Sequence, residues 1–218
     1  MSGVGQAVFM NQRSFGPPPP GAIGSAYEGG FYAGEIGVSS VATHYLVIGP
    51  LSTAQSILQW KNANSETPGA DSVIDGPQNT ADIVADGNST VYPAAHFCND
   101  LVIGGFSDWY MPAQNELEVC YFNLKPKTQN NNTSSGINPN AVPARASNYT
   151  NDPRVPDQTS AAAFQSGGAE AFADPSHWSS TNVAFSTAAK RQGFYNGYQG
   201  NTNKISSYRT RAVRRVAV

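Results

Sequence analysis

“GGFSDWYMPAQNELEVCY”, residues 104–121, is the stretch that most constrains how this chain folds. Its two glycines are typical of a helix end, and Pro112 is typical of the turn before a new helix. Apolar residues then recur at helical spacing, which predicts a helix over residues 114–124. The side chains expected on its inward face are Leu117, Cys120, Tyr121 and Leu124.

The start of this helix lacks the usual capping residue. Ala113 stands three residues before Glu116, where a serine or threonine would complete a capping box. Alanine offers no side-chain acceptor to the free amide groups of the first turn. Within this stretch, Asp108 and Asn115 are the candidates to supply one.

The sequence before this stretch predicts strands first and helices later. “FYAGEIG” at 31–37 and “HYLVIGP” at 44–50 predict two strands, and the second is apolar on both faces and therefore central. “STAQSILQWKN” predicts a helix from about Ser52, and Pro93 suits the first position of another that runs to the two glycines. Residues 62–91 between them carry turn signals.

The sequence after it divides into a long irregular part and a strand-rich end. Residues 125–176 have no periodicity, which inside a domain indicates a functional or mobile loop region. “HWSSTNVAFSTAAKRQGFYNGYQG” at 177–200 and “SSYRTRAVRRVAV” at 206–218 alternate in the way that predicts strands.

Composition argues against several classes of protein. Only 13% of the 218 residues are charged, which suits a loop-rich fold with strands better than a helical bundle. The net charge of −2 gives no overall attraction to nucleic acid or to anionic membranes. No membrane-spanning run or signal-peptide pattern is present, so we expect synthesis in a cytoplasm.

Two cysteines are too few for a disulfide scaffold. Cys98 and Cys120 each occupy an apolar position of a predicted helix, which favours buried free thiols. A disulfide between them is the alternative, if the two helices pack side by side.

Residues 1–28 are predicted to form an extended arm. Pro17 to Pro20 favour a stiff polyproline II spacer. Large apolar residues in the arm have no local core to enter, so we expect them to anchor the chain in a neighbouring subunit. They are Val8, Phe9, Met10 and Phe15. The alternative is a disordered tail.

Several motifs in order resemble a known family. “FSDWYMPAQNELEVCY”, a long insertion, “HWSST” and a closing “YRTRAVRRV” resemble the Lcl-type C-terminal domain, a C-type lectin-like domain of bacterial surface proteins and tailed phages. “EGGFYAGEI” and the Pro-Ala-Ala-x-x-Cys helix resemble its phage members. The resemblance covers residues 28–218, and Ala113 departs from its usual serine or threonine.

The resemblance implies an α+β, C-type lectin-like fold over residues 29–218, with antiparallel sheets, two flanking helices, a long loop region and chain ends that pair as neighbouring strands. It also implies structural roles, and no part in catalysis, for four motif residues: Trp109, Pro112, Trp178 and Arg214. A large aromatic side chain at such a corner buries about 150–250 Å² and fixes the local geometry.

No motif for catalysis or for a cofactor survives inspection. His44, His96 and His177 lack the spacing of metal ligands, and no phosphate-binding or nucleophile motif is present. Four carboxylates offer oxygen ligands for calcium without the spacing of a calcium loop, and we expect no cofactor. They are Asp71, Asp75, Asp82 and Asp86.

One stretch has the composition of an adaptable binding surface. “RQGFYNGYQGNTNK”, residues 191–204, mixes tyrosine, asparagine, glycine and glutamine, as antibody loops do. The predicted ligand-binding residues are Phe194, Tyr195, Asn196, Tyr198, Asn201 and Asn203. An ordinary glycine-rich hairpin with exposed polar residues is an equal alternative.

Together these features predict a non-enzymatic structural protein of a tailed-phage virion. Its arm would attach it to other virion proteins as a homo-oligomer, and its domain would serve as a tail or fibre host-binding element or as a capsid decoration. The expected further partner is a host-surface glycan or protein, with neither nucleic acid nor membrane as partners. The alternative is a bacterial surface adhesin.

Overall fold

Two sheets and a few short helices make up the part of the chain that the computed structural model describes, residues 20–174 and 176–218. The predicted anchor residues Val8, Phe9, Met10 and Phe15 lie outside these residues. The α+β class, with largely antiparallel sheets and few helices, is confirmed. None of the described helices is long and apolar enough to cross a membrane.

The first sheet has four antiparallel strands. They are β1 (Ala26–Tyr27), β2 (Gly30–Val38), β3 (Val41–Ile48) and β9 (Val213–Ala217), in the order β1-β2-β3-β9. The predicted strands correspond to β2 and β3, and β3 is central as expected. The first and last strands were expected to be neighbours. Among the described residues, the last strand, β9, pairs with β3, and two strands separate it from β1.

The second sheet has five strands and carries the surface discussed below. They are β4 (Gln55–Gln59), β5 (Ser176–Asn182), β6 (Ala188–Gly193), β7 (Gln199–Asn203) and β8 (Ser207–Arg211), in the order β4-β8-β5-β6-β7. Only the β5–β8 pair is parallel. The strand-rich end predicted for the chain is therefore confirmed.

Four α-helices and a single 3₁₀ turn complete the described residues. They are α1 (Leu51–Ala54), α2 (Gly76–Asp86), α3 (Pro93–Asn99), α4 (Gln114–Leu124) and the 3₁₀ turn Ala162–Phe164. The helix predicted over residues 114–124 is confirmed with both bounds. The predicted start of α3 is also confirmed, but its end is not. Gly104 and Gly105 instead have φ of +63° and +84° in a tight turn that brings Ile103 beside Phe106.

Two predictions between residues 51 and 91 were wrong. The helix predicted from Ser52 ends after one turn, because residues 55–59 pair along their whole length with β8. Backbone pairing with a distant strand outweighs local helical spacing here. Helix α2 was missed because Asp75-Gly76 resembles a turn. In the structure the Asp75 side chain accepts from the Gln78 amide and caps the helix.

Helix α4 is capped by groups that the local sequence does not reveal. The Glu116 carboxylate accepts from the Ala113 amide at 2.7 Å, the half of a capping box that alanine permits. Thr181 Oγ1 of β5 accepts from the Gln114 amide at 2.9 Å. The Val73 carbonyl accepts from the Asn115 amide at 2.8 Å. The cap therefore comes largely from other parts of the chain, and not from the two candidates near the helix.

Two buried clusters fill the interior, and each contains one cysteine. Cys98 packs with Trp60, Trp109 and Trp178, and Cys120 packs with the inward face of α4. Both thiols are free and buried, as predicted.

The long irregular region is fastened to the core by buried polar groups. Glu118 of α4 is fully buried and accepts from Arg145, from the Tyr149 hydroxyl and, at 2.5 Å, from Asn138 Nδ2. All three partners belong to the region that lacks periodicity. One carboxylate therefore orders a segment that the sequence pattern leaves undefined.

Replacing Glu118 with alanine is expected to lower the free energy of unfolding by about 3 kcal/mol, because it leaves the Arg145 charge without its buried partner. Chemical denaturation monitored by fluorescence measures the change. The matched control is Glu66→Ala, which removes an exposed carboxylate. Equal stability of the two variants would contradict the anchoring role of Glu118.

Candidate functional site

A cleft of about 430 Å³ opens beside the hairpin that joins β6 to β7. The hairpin contributes two exposed tyrosines, the preceding strands contribute polar side chains, and the long loop closes one side. The lining residues are Asn132, Asp174, Ser176, Arg191, Gly193, Tyr195, Asn196 and Tyr198. We call it the Tyr195–Tyr198 cleft.

The two tyrosines are the most exposed aromatic side chains of the cleft. Tyr195 is 45% and Tyr198 is 39% exposed, and each ring lies beside a cation. Lys127 Nζ is 5.7 Å from the centroid of the Tyr195 ring, and the Arg191 guanidinium carbon is 5.3 Å from that of Tyr198. Such contacts hold the rings in place while leaving part of each to solvent.

The polar groups of the cleft are positioned by hydrogen bonds to their neighbours. Arg191 Nη1 donates to Ser176 Oγ at 2.7 Å. Lys127 Nζ lies 3.0 Å from a carboxylate oxygen of Asp174. The Asn132 amide donates to the Asn196 carbonyl at 2.8 Å, which ties the long loop to the hairpin.

Three of the six predicted ligand-binding residues line the cleft, namely Tyr195, Asn196 and Tyr198. The prediction for Phe194 was wrong, because its ring is fully buried and stacks on Phe172 with centroids 3.8 Å apart. Asn201 and Asn203 are exposed on the edge strand β7, outside the residues that line the cleft.

The hairpin alternates between inward and outward positions. Phe194 points into the core, and Gly197 has a φ of +79° with its Cα against the Tyr121 ring, where an added Cβ would lie 2.4 Å away. Tyr195 lies between these two anchors in the sequence and Tyr198 follows the second, and both side chains point outward. The fold therefore fixes the hairpin through Phe194 and Gly197 and presents the tyrosines.

Sequence reasoning missed the residues that other segments bring to the cleft. Asn132 and Asp174 come from the irregular region, and Ser176 and Arg191 from strands whose local pattern indicates only pairing. The local signal for the site was the Tyr-Asn-Gly-Tyr composition of the hairpin. It indicated the hairpin residues and none of the residues that other segments contribute.

The four candidate calcium ligands do not converge. Asp75 caps α2, Asp82 accepts from Gln78, and Asp86 accepts from the Tyr92 hydroxyl. Among residues 20–174 and 176–218, no three histidine, cysteine or acidic side chains form a group that could hold a metal ion.

His177 lies buried beneath the hairpin. Its Nε2 is 3.1 Å from Gln55 Oε1, and its ring contacts Phe194 with centroids 4.8 Å apart. Burial, with the nearby charges of Arg211 and Arg209, holds the pKa of His177 well below its usual range. Burial likewise raises the pKa of both cysteine thiols, which makes them poor nucleophiles.

Comparison with known proteins then identifies the family. The model of the Lcl C-terminal domain matches residues 52–214, which is most of the chain. The chain belongs to the Lcl C-terminal domain family. No curated protein and no solved structure matches it. Membership supports a lectin-like or adhesin-type domain.

The motif residues of this Lcl domain lie at contacts between segments. Trp109 and Trp178 are buried, and their indole nitrogens donate to the carbonyls of Phe106 and Leu58. The Pro112 carbonyl accepts from the Ser180 amide at 2.8 Å. Nitrogens of Arg214 lie 2.7 and 2.9 Å from the two carboxylate oxygens of Asp108, a bidentate ion pair.

The stability of the Lcl domain is expected to fall as the pH drops below about 6.5, because only the unfolded chain readily protonates His177. His177→Gln keeps a donor for Gln55 and cannot titrate, so it should reduce the slope of unfolding free energy against pH. Denaturation series between pH 5 and 7.5 measure both slopes. His96→Gln is the control, and an unchanged slope in His177→Gln would refute the assignment.

Proposed function

We propose that this Lcl domain is a non-enzymatic recognition module that binds a cell-surface carbohydrate in the Tyr195–Tyr198 cleft. The observation that carries the proposal is the pair of exposed tyrosine rings in a cleft whose lining also includes polar side chains. The apolar face of a sugar ring stacks on tyrosine, and its hydroxyl groups need donors and acceptors nearby.

The chemistry of the lining supports a sugar ligand. Asn132, Asn196 and Ser176 offer amide and hydroxyl groups, and the Asp174–Lys127 pair offers both an acceptor and a donor. Because the tyrosines are held by cations and the hairpin by buried anchors, the cleft is largely formed before a ligand arrives. Preformed sites lose less conformational entropy on binding.

We further propose that the domain is displayed on the virion of a tailed phage, as a tail or fibre host-binding protein or as a capsid decoration. The likeness of “EGGFYAGEI” to phage members and the apolar arm support this placement. A bacterial surface adhesin with the same cleft is the second candidate, and family membership favours it equally.

The Tyr195→Ala and Tyr198→Ala double variant is expected to lose binding to a printed array of bacterial surface glycans, because it removes both stacking rings. Its melting temperature should stay within a few degrees of that of the unchanged protein, since both side chains are exposed. Phe185→Ala is the matched control. It removes an aromatic ring that is 91% exposed at the opposite end of β6. Unchanged binding by the double variant would refute the cleft as the binding site.

Removing residues 1–19 is expected to prevent incorporation into phage particles while leaving the domain folded. The truncation stops there because Ile23 packs against the core and Ala26–Tyr27 forms β1. Complementation of a phage that lacks the gene, followed by analysis of purified particles, measures incorporation. The full-length control carries serine at Val8, Phe9, Met10 and Phe15 and should also be excluded. Normal incorporation of both proteins would refute the anchor.

A further inference from the structure

An aromatic and cationic row crosses one face of the second sheet next to the Tyr195–Tyr198 cleft. Paired positions of neighbouring strands share a face, and the register pairs Leu58 with Tyr208, Trp178 with Arg191 and Arg191 with Gly200. Tyr198 follows the hairpin immediately before β7, on the same side as Gly200. The row therefore runs from β4 to β7.

Arg191 lies between two tyrosine rings in this row. Its guanidinium carbon is 5.3 Å from the Tyr198 centroid and 5.5 Å from the Tyr208 centroid. Of its three guanidinium nitrogens, only Nη1 has a hydrogen-bond partner among the described residues. Tyr198 borders the cleft, whereas Tyr208 lies on the far side of Arg191 and outside it.

Gly200 sets the position of the Tyr198 ring. A Cβ added at Gly200 would lie 2.6 Å from Tyr198 Cε1 and 2.9 Å from its hydroxyl oxygen. The ring therefore rests directly on the backbone of β7, and any side chain at this position would displace it. Glycine is needed here for close approach and not for an unusual backbone angle.

Tyr208 contacts Arg191 and also packs against Trp178, one of the motif residues of the family. Its ring meets Trp178 edge to face, with centroids 5.1 Å apart and planes at 88°. The Trp178 indole nitrogen donates to the Leu58 carbonyl at 3.0 Å, which fixes the tryptophan against β4. Tyr208 is half-buried, so part of its ring remains at the surface.

We infer that Tyr208 forms a second stacking subsite, so that the domain binds a chain of at least two consecutive sugar rings rather than a single terminal sugar. This inference rests on the proposed function. One ring of the glycan stacks on Tyr198 and the next on Tyr208. Arg191 Nη2 lies between them as a donor for the hydroxyl groups near the linkage, whereas Nη1 is bonded to Ser176 and Nε is buried. Gly200 and Trp178 are positioning residues that hold the two stacking rings.

The test compares defined oligosaccharides of one to six pyranose rings on a printed array. For the unchanged protein, apparent affinity should rise roughly tenfold from one ring to two, the size of one good aromatic contact. Tyr208→Leu, which keeps an apolar contact with Trp178, should lose this gain while keeping the affinity for single sugars. Gly200→Ala should weaken binding at every length, and Phe185→Leu should change nothing.

Each outcome separates the inference from the proposed function. Equal affinity for one ring and for six, or a gain that persists in Tyr208→Leu, overturns the second subsite and leaves the cleft in place. An unchanged protein that binds nothing on the array overturns both. If Tyr208→Leu does not fold, the ring-proton shifts of Tyr208 in the unchanged protein decide. They must move with a two-ring glycan and stay still with the single sugar.

Discussion

The rest of this structure depends on the hydrogen bonds that the buried carboxylate of Glu116 accepts. It accepts from the Ala113 amide at 2.7 Å, from Arg215 Nε at 2.8 Å and from the Tyr110 hydroxyl. Burial raises the pKa of Glu116, and the Arg215 guanidinium acts against that rise. One side chain thus caps α4, holds the last strand and fixes the turn after Trp109. Two segments that are far apart in the sequence, residues 110–116 and the last strand, meet at this carboxylate.

The sequence predicted those elements whose signal is local. Helix α4 has apolar spacing over its whole length, and the second half of β3 is a continuous apolar run. The strand β4 was missed because its hydrogen bonds go to β8, near the other end of the chain. The same limit applies to the cleft. Tyrosine-rich composition located Tyr195 and Tyr198, but nothing local indicates that Asp174 and Asn132 lie beside them.

The irregular region is better described as an ordered part of the site than as a connection. Glu118 fastens its first half, and Arg211, fully buried, lies 2.5 Å from a Glu170 carboxylate oxygen in its second half. Lys125 Nζ donates to the carbonyls of Pro153 and Pro156, both at 2.9 Å. Buried polar bonds replace the regular ladders that this segment lacks. They let a loop with little regular structure hold Asn132 and Asp174 at fixed positions.

The alternation within the β6–β7 hairpin also bears on how such a domain evolves. Phe194 and Gly197 are committed to the interior, while Tyr195, Asn196 and Tyr198 contribute little to the core. Mutations at the outward positions therefore alter the exposed surface of the cleft with little loss of stability, and selection can act on the two properties separately. Under the proposed function, a lineage that meets a changing target surface can acquire new specificities at these few codons while it inherits the scaffold unchanged.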